Sequence, residues 1–119
     1  MLPAYLGAFA LTLAVEVPVY VVALTALVGT GWARATVIAV GVNVVTHPAL
    51  WWGLRPLAAR PAYPALLAAA ELVVCVVEWA LLVVLTRRPG RTRADLALLG
   101  AVAVAANAAS TLAGLLRGG

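Results

Sequence analysis

An all-α fold, a four-helix transmembrane bundle running up-down-up-down around a buried polar interior, is what the sequence predicts, and three observations carry the prediction. Of 119 residues, 66% are hydrophobic and only 10% charged, more apolar side chain than a water-soluble domain of this size needs for its core. The apolar residues gather in four blocks, at about 2–28, 32–54, 62–86 and 95–116. Each has the ~20 residues with which a helix crosses ~30 Å of hydrocarbon. The links between them, roughly GTG, RPLAARP and RRPGRTRA, are short enough to make consecutive helices antiparallel neighbours in a single domain spanning 1–119.

Taken in order, each block carries one polar stripe, because residues three and four apart share a helical face. In the first, Glu16 lies with Tyr5, Thr12 and Tyr20, and Pro18 interrupts the backbone ladder. In the second, the stretch NVVTHP places Asn43 and His47 one turn apart, with Thr46 and Pro48 beside them and Thr36, Ala39 and Leu50 along the same stripe. In the third, Glu71, Cys75 and Glu78 fall in one narrow sector. The fourth opens on Thr92 and Asp95 at capping-box spacing and then presents Gly100, Ala103, Asn107, Ser110, Thr111 and Gly114, a small-residue stripe that lets another backbone come close. We expect all four stripes to face a shared interior.

Three of the four acids lie inside spans. An ionised residue such as Asp at a helix centre costs roughly 2.5–3.5 kcal/mol on insertion, against a gain of about 0.3–0.6 kcal/mol for each Leu, Val, Ile or Phe. Glu71 and Glu78 together would therefore cancel most of what the third span contributes, so the carboxyls must be protonated, partnered or hydrated. At ~1.5 Å rise per residue, the expected column pairs His47 with Glu71 toward the second loop. It places Glu16 with Asn43 and Asn107 at mid-depth and Glu78 with Tyr20 toward the first and third loops, with Ser110 and Cys75 in support. Pro18 and Pro48 each remove a ladder hydrogen bond, freeing the carbonyls of Ala14 and Val44 next to this column.

The net charge of +4 comes from eight Arg set against four acids, with no Lys, and the Arg all lie at or beyond span ends. Nucleic-acid binding is a poor reading, since short loops would have to build the basic groove, and anionic lipid is the natural partner. Loops one and three hold Arg34, Arg87, Arg88, Arg91 and Arg93, whereas Arg55, Arg60 and Arg117 lie on the other side with the amino terminus. Arginine-rich short loops favour the cytoplasm, so both termini are expected outside a bacterial plasma (inner) membrane. The first block has no basic flank and is too long for a signal peptide, so it is expected to remain as a span. Trp32, Trp51, Trp52, Tyr5 and Tyr63 lie near span ends as interface anchors. Trp79, deep in the third block, does not.

These groups point to proton or small-cation handling by Glu16, Glu71 and Glu78, with His47 tuning or relaying and Asn43 and Asn107 contacting the ligand. A homodimer, formed through the glycine stripe of the fourth helix, is the expected assembly. The rival readings are an accessory or assembly subunit completed by a larger membrane partner, and a metal- or cofactor-dependent membrane enzyme. No cofactor is expected. One His and one Cys make a poor metal set, and His47 with Glu71 would be its start. No G-x-S-x-G or H-E-x-x-H is present, so the reading leans away from an enzyme.

The pattern Glu16-x-Pro18, Asn43-x-x-Thr46-His47-Pro48, Glu71-x6-Glu78 and Asn107-x-x-Ser110 resembles that of small bacterial four-span membrane proteins of unassigned activity. That resemblance covers all four spans and implies that the polar residues act as a unit. The mid-membrane glutamate in LAVEV also resembles that of the small multidrug resistance transporters. There the first-helix glutamate binds proton or cationic drug and the working unit is a dimer. Carried over, that role falls on Glu16.

Overall fold

The computed structural model describes residues 2–118 and is an all-α four-helix bundle, 47 × 25 × 21 Å in extent. Helix α1 runs Leu2–Ala23 and continues as a π-helical turn, Leu24–Val28; α2 is Trp32–Leu54, followed by a 3₁₀ turn, Arg55–Leu57; α3 is Tyr63–Leu85 and α4 Arg93–Gly118. The helices pack in the cyclic order α1, α2, α3, α4, with α4 closing against α1. All four are long and apolar enough to cross a membrane, so the chain is a multi-pass membrane protein.

The distribution of side chains is that of a protein dissolved in lipid. Val37, Leu72 and Leu116 are 72%, 67% and 74% exposed, whereas Glu16, Asn43 and Glu78 are each 1% exposed. Polar groups in hydrocarbon must satisfy one another, so they turn inward, and Leu and Val meet acyl chains at no cost. Inside, toward the first and third loops, Leu24, Ala35, Ile38, Ala39, Val42, Leu82 and Leu99 form a compact apolar plug.

Local chemistry sets the helix ends. Gly29, at φ 75°, closes the π-turn in the left-handed region that glycine adopts without strain, and Thr30 N donates to Leu24 O at 3.0 Å. Pro64 stands in the first turn of α3, where the missing N–H costs nothing. At the start of α4, Thr92 N donates to Asp95 Oδ2 at 3.0 Å and Asp95 N donates to Thr92 Oγ1 at 3.2 Å, the reciprocal box expected from the spacing. Replacing Thr92 with Ala is expected to cost about 1 kcal/mol, read as a lower unfolding midpoint in detergent with the helix content of the folded state unchanged.

The arginines, for which anionic lipid is the expected partner, also bond to the protein's own backbone at the third loop. Arg91 donates to Val83 O at 2.8 Å, to Thr86 Oγ1 at 2.9 Å and to Thr86 O, capping the carbonyls at the end of α3. Arg88 donates to Val28 O at 2.9 Å and Arg34 to Leu85 O at 3.1 Å. A helix end leaves carbonyls unpaired and carries partial negative charge, so guanidinium groups settle there. Arg88 thus ties the C-terminal ends of α1 and α3 together beneath the plug, while Arg34 joins the start of α2 to α3.

Trp79 has a structural explanation. Its Nε1 donates to Leu96 O at 2.9 Å, and its indole covers Gly100, where an added Cβ would lie 3.5 Å from the ring. Ala103 and Asn107 on the same stripe are buried as well. Most of the small-residue stripe of α4 is spent inside the chain, on α1 and α3, and only Gly114 at its end lies exposed and open.

Candidate functional site: a polar column in the bundle

Glu78 has the densest set of partners. Its Oε1 accepts from Tyr20 Oη at 2.5 Å and from Asn107 Nδ2 at 3.1 Å, and its Oε2 lies 3.0 Å from Thr46 Oγ1. Tyr20 comes from α1, Thr46 from α2 and Asn107 from α4, so one carboxyl on α3 links all four helices. Asn107 also returns its amide to Ala103 O at 2.9 Å.

Glu16 forms the second node, with Ser110 Oγ 2.5 Å from its Oε1. Asn43 stands beside the same carboxyl while its Nδ2 donates to Ala39 O at 2.9 Å. Glu16 Oε2 is buried and takes no protein donor. The expected pairing of Glu78 with Tyr20 is therefore present. The middle layer is redistributed: Asn107 belongs to Glu78 and only Asn43 stays with Glu16, because Asn107 faces Tyr20 while Ser110, one turn on, faces Glu16.

His47 differs more from expectation. Its ring lies 5.0 Å from that of Phe9 and 5.6 Å from that of Tyr5, and its Nδ1 is buried without a protein partner. Glu71 instead has the Thr111 hydroxyl as neighbour. The two residues share a cavity wall and are not a bonded pair. Tyr5 also packs near Trp51 and Trp52, at 5.7 Å and 5.8 Å, and so links the imidazole to the two end tryptophans. Cys75 is half-buried and lines an outer groove between α3 and α4; Val74 takes the place in the central cavity that the narrow sector assigned to it.

A cavity of about 90 Å³ joins Glu16, Asn43, Thr46, His47, Glu71, Glu78, Asn107 and Ser110. At 10–15 Å³ or more for each water it has room for several, and Glu16 Oε2 and His47 Nδ1 are the polar atoms such waters would satisfy. His47, Leu50, Glu71 and Thr111 also line a vestibule of about 420 Å³ that continues past Trp51 to Arg55, Ala58 and Tyr63. The column is thus continuous with the second-loop end and blocked by the plug at the other. Among the described residues no group of three or more His, Cys, Asp or Glu side chains is placed to hold one metal ion.

Sequence reasoning missed Thr111 as the neighbour of Glu71 and underrated Thr46, whose hydroxyl joins α2 to α3. The available signals were that Thr111 shares the polar stripe of the fourth helix and that Thr46 stands one residue from that of the second. No protein-family model, curated protein or solved structure matches the chain.

Proposed function

We propose that this protein is a small proton- or cation-coupled transporter or channel-like protein whose working groups are Glu16, Glu71 and Glu78. The observation that carries the reading is their serial arrangement. Glu71 stands where vestibule and cavity meet, Glu16 lines the cavity and Glu78 lies against the plug. Acids inside a span are costly, and a bundle meant only to be held together could use Asn and Ser alone. His47, at the throat, tunes or relays the ion. Pro18 and Pro48 lie inside α1 and α2, where a missing ladder bond gives each helix a place to bend if access alternates. With the arginine-rich end in the cytoplasm, the vestibule opens outward and both termini lie outside.

The test is purified protein in liposomes with an internal pH dye. An imposed pH gradient should collapse faster than in empty vesicles, and Glu71→Gln should slow that collapse strongly. Unchanged flux in Glu16→Gln, Glu71→Gln and Glu78→Gln alike would overturn the reading.

A second reading, an assembly subunit completed by a larger membrane partner or a second copy, draws on one feature. Glu71, Asn107 and Thr111 also line the groove of about 450 Å³ between α3 and α4, among Leu72, Val104 and Leu112. These three leucine and valine side chains are exposed to lipid, so a partner helix could reach Glu71 from the side. Such a subunit would be unstable alone and would co-purify with its partner from native membranes.

A further inference from the structure

We infer that the species bound at Glu78 is the proton, carried on Oε2, and that Thr46 is the positioning residue that lets it come and go. This rests on the proton branch of the function proposed above. Oε1 already accepts from Tyr20 at 2.5 Å and Asn107 at 3.1 Å, which leaves Oε2 as the oxygen free to change state. Facing Oε2 at 3.0 Å is the Thr46 hydroxyl, which also lies 3.1 Å from Val42 O on its own helix. A hydroxyl has one hydrogen and two acceptor lone pairs, so it cannot donate to both.

That surplus of acceptors is resolved differently in the two states. With Glu78 ionised, Thr46 donates to Oε2. With Glu78 protonated, the Oε2–H donates to Thr46 Oγ1, and Thr46 turns its hydrogen to Val42 O. The proton added or lost exchanges with water in the cavity that Glu78, Thr46 and Glu16 line. Neither state strands a buried donor or acceptor, an omission that would otherwise cost about 1–3 kcal/mol.

Glu16 repeats the arrangement. Ser110 Oγ lies 2.5 Å from Oε1 and 3.1 Å from Asn107 O, and its second oxygen, without a protein partner, faces the same cavity. Ser and Thr often bond back to their own helix; here each does so while also within bonding distance of a buried carboxyl. The other titratable groups facing Glu78 are Tyr20 and Glu16 on α1, His47 on α2 across the cavity, and Glu71 and Cys75 on α3; α4 presents none.

The test is infrared difference spectroscopy of the whole protein in lipid across the pH range in which it stays folded. The wild type should show a carboxylic C=O band that grows on acidification and is missing in Glu78→Gln. Thr46→Val keeps the shape and removes the hydroxyl. Charge-assisted hydrogen bonds are the stronger ones, so the ionised form loses more. The band should then persist about one pH unit further into the alkaline range, a tenfold tighter hold on the proton, while Thr46→Ser titrates like wild type. Adding sodium, lithium or potassium at fixed pH should leave the band unchanged. A Glu78 band that does not respond to pH, a Thr46→Val protein that titrates like wild type, or a cation that abolishes the band would each overturn the inference. If Thr46→Val does not fold, the wild-type titration still decides whether Glu78 carries the proton, and Thr46→Ala repeats the test of the hydroxyl with the same expected and overturning results. A titrating band without flux would remove the transport reading and leave this site standing.

Discussion

Glu78→Gln is expected to slow gradient-driven proton flux in liposomes by at least about a hundredfold while leaving the bundle folded. At 1.36 kcal/mol for each factor of ten, that is a barrier raised by ~2.7 kcal/mol. Glutamine copies the shape of the protonated acid. Its oxygen can accept from Tyr20 and Asn107 as Oε1 does, and its amide can donate to Thr46, whose hydrogen turns to Val42 O. The hydrogen bonds are kept, but no proton can leave. Glu78→Leu gives the complementary result. It leaves the Tyr20 hydroxyl without its acceptor while the Asn107 amide keeps Ala103 O, and the stranded hydroxyl costs about 1–3 kcal/mol. Detergent unfolding should therefore separate the two variants: Gln near the wild type, Leu clearly destabilised. Equal flux in Gln and wild type would mean that Glu78 is a clamp and nothing more.

The outline of the bundle was legible because in lipid it follows from few rules. Four apolar blocks of spanning length, linked by short loops, leave one economical arrangement, and the helices observed begin and end within a few residues of the blocks. The polar stripes were legible for the same reason, since a carboxyl in a span has nowhere to go but inward. Who bonds to whom was not legible. Helical periodicity gives a residue's face to within a sector and its depth to within a turn. Asn107 and Ser110 are three residues apart on one face, yet they serve different carboxyls. Nor does periodicity carry the rotation of one helix against the next, which turns His47 onto Phe9 and Tyr5 instead of Glu71. The arginine caps were hidden because RRPGRTR reads the same whether its guanidinium groups meet phosphate or the carbonyls of Val28, Val83 and Thr86.

Leu82 tests the other half of the proposed design, the seal. It lies one turn beyond Glu78, is 0% exposed and packs in the plug with Leu24, Ile38 and Leu99. Leu82→Ala is expected to cost about 2 kcal/mol, near the low end of the range for buried leucines. Lipid is as apolar as leucine, so the term lost is packing and not transfer from water. Flux should change little, because a void walled by Leu, Ile and Val stays dry. Leu82→Asn should behave in the opposite way. Its amide brings hydrogen-bonding groups into the plug, between Glu78 and the Thr86 hydroxyl one turn further on, and water then has polar partners on the way through. The expected result is a proton leak at least about tenfold above wild type that persists without an imposed substrate gradient. If the small apolar residue leaks and the polar one does not, bulk and not dryness is the barrier. The end of the column would then be a steric gate that moves, with Pro18 and Pro48 as the places where the helices bend.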